Sequence, residues 1–188
     1  ASQALLTKLG VWAFLPEERR APYRGMYIWD ALNQAKIKFH ARDQAQSELG
    51  FILEDSVLKQ ALLKRADELG VRLVSQARVS TCAETTRGMQ VAADDGRLWN
   101  AGLLIVSDGA NSRVRDMLDV ALISKSYQHD ALVVTVETEK PHHETAYQIF
   151  HVDGPLAFLP LKDPHQCSIV WSHPPERIKA LMALEERA

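Results

Sequence analysis

The sequence predicts a mixed α/β (α+β) fold in which a βαβ-like layer stands beside a mostly antiparallel β-sheet. Three observations predict it. Residues 51–74 read as strand, helix, strand. Residues 131–171 carry four strand-like runs with turns but no helix between them. Two earlier runs, 24–31 and 35–41, are assigned to that later sheet, because the edges of an antiparallel sheet need partners.

The elements follow in order. Ser2 is read as the N-cap of a first helix that puts Leu5, Leu6 and Leu9 on one face, and Gly10 takes the left-handed position after it. Trp12, Phe14 and Leu15 continue the apolar surface to Pro16. The runs 24–31 and 35–41 flank a turn at Asn33-Gln34, and Ile37 and Phe39 alternate with Lys36, Lys38 and His40 as in a half-buried strand. A polar loop covers 42–48. A strand at 51–53 leads into a helix capped by Asp55 or Ser56, with an apolar stripe through Val57, Leu58, Ala61, Leu62, Ala66 and Leu69 up to Gly70. Val71–Val74 closes the unit as a strand. Asp94-Asp95-Gly96 between 89–93 and 97–99 is a hairpin turn. Leu103–Val106 is wholly apolar, as in a strand buried on both faces. Strands are then expected at 131–136, 146–150, 156–159 and 167–171, and a helix from Pro175 to Arg187.

Composition narrows the function classes. The chain has 188 residues, 46% hydrophobic and 24% charged, as in a globular protein able to bury a core. A net charge of −2 gives nucleic acid no electrostatic footing. No apolar run reaches the roughly 20 residues of a membrane span, and the first ten residues lack the pattern of a signal peptide. A cytoplasmic setting with at most peripheral membrane association is expected. Without an initiator Met, the sequence reads as an internal segment. Cys82 and Cys167 form no Cys-x-x-Cys pair and are read as reduced thiols.

The stretch with the most chemistry is Leu103 to Arg115. A buried strand is expected to deliver Asp108 and Gly109 to the rim of a cleft, with a helix opening near Ser112. Gly109 permits close approach of a ligand. Free amides at the helix start favour an anion such as a pyrophosphate. Asp108 suits a ribose or ribityl hydroxyl, and Arg113 and Arg115 add positive charge.

Ser107-Asp-Gly-Ala-Asn-Ser-Arg-Val-Arg115 resembles the Asp-Gly motif of class A flavoprotein monooxygenases, with Val106 and Ser107 where that motif carries Gly and Ala. Leu5 to Trp12, Leu49 to Leu58, Tyr127 to Val133, Phe150-His151, Leu156 to Leu161 and Cys167 to Ser172 resemble the branch that hydroxylates ubiquinone precursors, and the last two segments resemble its five-position hydroxylases most. The resemblance implies a partial FAD-binding βαβ layer and a substrate-side sheet. Residues 1–22 and 51–126 fall to the first, and 23–50 and 127–188 to the second. FAD would meet Asp108, Gly109, Ser112, Arg115 and Asp55, which stands where the branch carries Asn. The substrate, a prenylated phenol, would meet Tyr127, His151 and Phe158, with Phe150, Leu156 and Ile169 as further walls. The implied reaction consumes oxygen and NAD(P)H and hydroxylates the ring. The sequence has no Gly-x-Gly-x-x-Gly and no Gly-Asp segment after the sheet, so an internal fragment lacking both ends of the nucleotide fold is expected.

No residue is singled out as catalytic, and no metal site is read. His142, His143 and Glu144 are adjacent, which suits a solvated loop better than a metal. His129 and His151 are candidate proton acceptors from a phenol, weighed against ordinary sheet roles. No Gly-x-Ser-x-Gly elbow points to a hydrolase. The alternative to the hydroxylase is a catalytically incomplete module that contacts other ubiquinone-biosynthesis proteins.

Overall fold

The computed structural model describes residues 2–33 and 35–184. The chain divides into two compact units, one of residues 1–71 with 126–188, the other of residues 72–125. This division differs from the boundaries read from the sequence: residues 1–22 and 51–71 fold with the large sheet.

In chain order the first unit contains α1 (Ser2–Lys8), β1 (Ala21–Tyr23), β2 (Gly25–Asp30), β3 (Lys36–His40), β4 (Gly50–Ile52) and α2 (Asp55–Glu68). The second unit contains β5 (Val79–Thr85), β6 (Gly88–Ala93), β7 (Leu98–Ala101) and α3 (Arg113–Met117). The first unit resumes with β8 (Asp130–Glu137), β9 (Thr145–His151), β10 (Gly154–Pro160), β11 (Gln166–His173) and α4 (Pro175–Met182). The last residues of the expected final helix, 185–187, lie outside the described residues.

The large sheet has six strands in the order β3-β2-β9-β10-β11-β8. The early strands therefore join the later ones, as expected. All neighbours are antiparallel except β2 and β9, which run parallel with Tyr27 opposite Tyr147. Because side chains alternate along a strand, the register puts Tyr27, Trp29, Tyr147, Phe158, Ile169 and Cys167 on one face. Phe150 and Val170 face the other way.

Against this sheet unit, α1 and α2 build a small core of Val11, Leu15 and Ala61, joined by Leu6, Trp12, Phe14, Leu53, Val57 and Leu58. Ala61 is the one fully buried residue of α2; its small side chain lets the helix approach. Arg20 ties this core to its loop by donating from Nε to the Leu15 carbonyl at 3.0 Å and lying over the Trp12 ring at 5.3 Å. Arg65 Nε donates to the Leu9 carbonyl at 2.8 Å, satisfying an acceptor that the end of α1 leaves open.

Several local expectations fail for identifiable reasons. Ser2 lies inside α1, and of the three leucines only Leu6 packs, while Leu5 and Leu9 are exposed. The cap position of α2 is Glu54, whose side chain pairs with Arg19 instead of capping; Asp55 is the first helical residue, and neither it nor Ser56 is the cap. Ile37 and Phe39 are exposed, since nothing among the described residues covers their face of the edge strand β3. Val71–Val74 and Leu103–Val106 form no ladder with any described strand. Leu103 and Ile105 are 75% and 78% exposed, so the run expected to be buried on both faces is not. The predicted strand-helix-strand unit thus keeps its first strand and helix only. β1 and β5 were not foreseen: β1 is short and holds Pro22, and β5 is rich in Ser, Thr and Glu.

The hairpin at 94–96 forms as read, with β6 and β7 paired and Gly96 at φ +85°. Arg97 donates from Nε to Asp95 at 2.7 Å, and that bond holds the Asp95 carboxyl below its ordinary range.

Candidate functional site

Asp108 sits between the exposed run and α3, and its carboxylate folds back over the helix start. Oδ2 accepts the backbone N–H of Arg113 at 3.1 Å and of Val114 at 3.3 Å. Ser112, the N-cap, accepts the N–H of Arg115 on Oγ at 3.0 Å. A helix start leaves its first amides unpaired, and here the chain itself takes them. The expectation of free amides aimed at a pyrophosphate is corrected accordingly: Asp108 braces the turn. The Ser112 hydroxyl first, then the amides of Val114 and Arg113, hold the Asp108 carboxyl below its ordinary range.

Four of the expected cofactor residues nevertheless meet at one place. Asp108, Gly109, Ser112 and Arg115 line a crevice of about 310 Å³, walled on its apolar side by Val106 and Leu118. Gly109 holds φ +93°, and a Cβ there would meet nothing within 4 Å, so this wall is open. Arg115 donates from Nη1 to the Ala110 carbonyl at 3.0 Å. Its Nε is buried without a partner among the described residues. An unpaired buried donor is costly, and the Asp108 carboxylate lines the same crevice as Arg115. That pair of groups, one donor and one anionic acceptor, suits a sugar-type hydroxyl, which both donates and accepts. A phosphate would gain from Arg115 and be repelled by Asp108. The residues therefore fit the polyol part of a nucleotide better than its pyrophosphate.

Asp55 belongs to the first unit. It is exposed and pairs with Lys59 one turn along α2.

On the sheet, Phe158 lines a cleft of about 460 Å³ with Trp29, Tyr147, Cys167, Thr138 and His142. Leu156 and Ile169 share its face, whereas Phe150 lies opposite and is exposed. Tyr127 precedes β8 and is 87% exposed. His151 ends β9 at the far end of the β9–β10 hairpin from Phe158 and is exposed. The ring nitrogens of His129 lie 2.9 and 3.2 Å from the carbonyl oxygens of Tyr127 and Asp153. Of the residues read as substrate contacts, only Phe158 reaches the cleft. Its aromatic partners Trp29 and Tyr147 were not singled out; the alternation along 25–30 and 145–151 was the available signal.

The solvated loop read at 142–144 is also corrected. His142 is buried, with Nδ1 accepting the Glu144 N–H at 3.0 Å and Nε2 set against the Asp163 carbonyl at 2.9 Å. It locks a corner in which His143 and Glu144 both adopt positive φ. Among the described residues no group of three or more His, Cys, Asp or Glu side chains is placed to hold a metal ion. No described helix is long and apolar enough to cross a membrane.

No family model matches the chain. Curated relatives do. The chain is 31% identical to the mitochondrial ubiquinone biosynthesis monooxygenase COQ6 of Danio rerio, over 100% of its own length and 40% of that protein's. It is 32% identical to the 3-demethoxyubiquinol 3-hydroxylase of Escherichia coli, over 96% of its length and 46% of that protein's. It is 30% identical to the ubiquinone hydroxylase UbiL of Rhodospirillum rubrum, over 98% and 42% respectively. The chain therefore spans less than half the length of these relatives. Among solved structures, Pseudomonas aeruginosa PqsL in complex with 2-aminobenzoylacetate aligns with a TM-score of 0.75 at 21% identity, covering 96% of this chain and 50% of that one. Klebsiella pneumoniae HpxO with FAD and uric acid aligns with a TM-score of 0.70 at 18% identity, covering 91% and 44%. The homologues of this chain are thus ubiquinone-biosynthesis hydroxylases, and its mixed α/β fold is the one solved in FAD-dependent monooxygenases.

Proposed function

We propose that the protein hydroxylates the ring of a prenylated phenol in ubiquinone biosynthesis, using FAD, oxygen and NADPH or NADH. The observation that carries this reading is the crevice of Asp108, Gly109, Ser112 and Arg115 in a chain whose relatives are such hydroxylases. FAD, when bound, supplies the hydride acceptance and oxygen activation that no side chain offers. Within the crevice, Asp108 would accept from a hydroxyl of the cofactor's polyol chain and the Arg115 guanidinium would donate to it. Gly109 leaves room for that approach. Asp55 is a further proposed cofactor contact from the first unit.

The substrate ring is assigned to the sheet face that bears Phe158. Trp29, Tyr147 and Phe158 give it an apolar bed that excludes water and restricts its orientation. Tyr127 and His151 stay in the proposal as outer contacts. The likeness of residues 156–161 and 167–172 supports the five-position of the ring as the target. The proposed setting is cytoplasmic, with contact at a membrane surface and with other ubiquinone-biosynthesis proteins.

A flavin titration tests the reading. Added FAD should lose fluorescence on binding the chain, and Asp108→Ala or Arg115→Met should weaken binding about tenfold, the worth of one hydrogen bond to a charged group. No binding, or variants that bind like the parent, would end the assignment and favour a module without chemistry of its own. In the longer protein, hydroxylated product measured against peroxide release, with NADPH and then NADH, tests the reaction and its donor.

A further inference from the structure

On the face of the large sheet that bears Tyr27, three adjacent strands place six residues in two rows. His40 of β3, Gly25 of β2 and Thr145 of β9 form one row, and Lys38, Tyr27 and Tyr147 form the next. The middle of the first row has no side chain, and Thr145 leans over it: a Cβ on Gly25 would stand 2.9 Å from Thr145 Oγ1. These residues line a hollow of about 560 Å³, to which the turn after β3 adds Arg42 and Asp43. Small-molecule sites span roughly 300–1,000 Å³.

The lining is specific in its chemistry. Lys38 Nζ lies over the Tyr27 ring at 4.8 Å and makes no ion pair among the described residues. His40 Nδ1 accepts the backbone N–H of Arg42 at 3.2 Å, so the neutral ring carries its proton on Nε2 and donates from there. Tyr27 and Tyr147 meet edge to face, with centroids 6.3 Å apart at 81°. Asp43 lies 3.7 Å from Arg42. Two cations and one carboxylate therefore line the hollow, which leaves a single positive charge to be matched.

An edge strand carries lysines to discourage pairing with another strand, and that accounts for Lys36 and Lys38 alike. It does not account for a hollow where a lysine, an imidazole donor and two tyrosine rings converge. One excess positive charge suits a carboxylate, which accepts from Lys38 and His40 together. A doubly charged phosphate would exceed that charge and be repelled by Asp43. The tyrosines offer ring surface to a planar aromatic group. We infer that the hollow formed by Gly25, Lys38, His40, Tyr27 and Tyr147 binds a small aromatic carboxylate, at a site apart from the Asp108 crevice. The carboxylate meets Lys38 and His40, and the ring lies against Tyr27 and Tyr147.

An NMR titration of the full chain with benzoate tests it. Benzoate should shift the ring resonances of Tyr27 and Tyr147 and give nuclear Overhauser contacts to them. Benzamide keeps the ring without the charge, and acetate keeps the charge without the ring; each should bind about tenfold more weakly. Lys38→Met should weaken benzoate about tenfold. Lys36→Met, one position along the same face and outside the hollow, should bind like the parent. Should Lys38→Met misfold, the contacts to Tyr27 and Tyr147 in the parent decide. No binding, binding with contacts elsewhere, equal affinity for benzamide, or equal loss in both lysine variants overturns the inference. So does inorganic phosphate binding more tightly than benzoate, which would make the hollow a simple oxyanion site. A chain that binds FAD but not benzoate loses this inference alone; one that binds benzoate but not FAD loses the proposed function alone.

Discussion

The carboxylate of Asp108 accepts the backbone N–H of Arg113 at 3.1 Å, closing the Asp-Gly turn onto the first turn of α3. The Ser112 hydroxyl and the amides of Val114 and Arg113 prefer the ionised form, so the folded carboxyl titrates below its ordinary value of 3.8. A carboxyl depressed on folding contributes stability that is complete above the ordinary value and disappears as pH falls through the folded one. The second unit should therefore loosen in acid below about pH 4, with faster hydrogen exchange at Arg113 and Val114. In Asp108→Asn this acid step should shrink, and the variant should be less stable at neutral pH. Identical acid profiles for variant and parent would remove the bracing role.

Two glycines with positive φ should respond differently to alanine. At Gly88, φ is +128° and a Cβ would stand 2.2 Å from the Ala101 carbonyl oxygen, so backbone must move. Gly109 has only its φ to lose, because the space beside it is open. Gly88→Ala should destabilise by about 2–3 kcal/mol, and Gly109→Ala by about 1 kcal/mol. Urea unfolding separates the two, and FAD affinity should fall in Gly109→Ala while the fold persists.

His142 should matter for stability. Its ring both accepts from Glu144 and faces the Asp163 carbonyl, out of contact with water. His142→Leu leaves the Glu144 N–H unpaired, whereas the Asp163 carbonyl still accepts the Gln166 N–H at 3.0 Å, and should cost about 1–3 kcal/mol. His142→Asn, which keeps a donor and an acceptor, should recover part of it. Equal unfolding midpoints for all three proteins would show that the corner holds without the ring.

Burial pushes the Cys167 thiol above its ordinary range, and the thiolate is the reactive form. In native protein at neutral pH, Cys82, which is part-exposed, should be alkylated first. Cys167 should react only as fast as the sheet opens, and mass spectrometry of timed samples checks it. Rapid native labelling of Cys167 would mean that the cleft admits reagents to its floor.

Local periodicity and turn chemistry were legible without coordinates. The alternation in 131–171 marks β8 to β11, Asp94-Asp95-Gly96 marks the hairpin, and Gly10 marks the end of α1. The Asp108–Arg115 stretch announced its residues, and they do line one crevice. Its geometry was not legible, because the amides of Arg113 and Val114 had two plausible acceptors, an external anion or Asp108, and only the folded turn selects one.

What the sequence determined by itself is therefore the set of strands, turns and site residues whose signals lie within a few neighbouring positions. Only tertiary structure decided that β2 runs parallel to β9, that Leu103–Val106 gains no ladder, that His142 is buried, and that Trp29, Tyr147 and Phe158 share a cleft. The reason is physical: a strand needs hydrogen-bond partners distant in sequence, and burial depends on what packs against a face. An apolar run states what a segment can pair with, and the fold alone supplies the partner or leaves it in water.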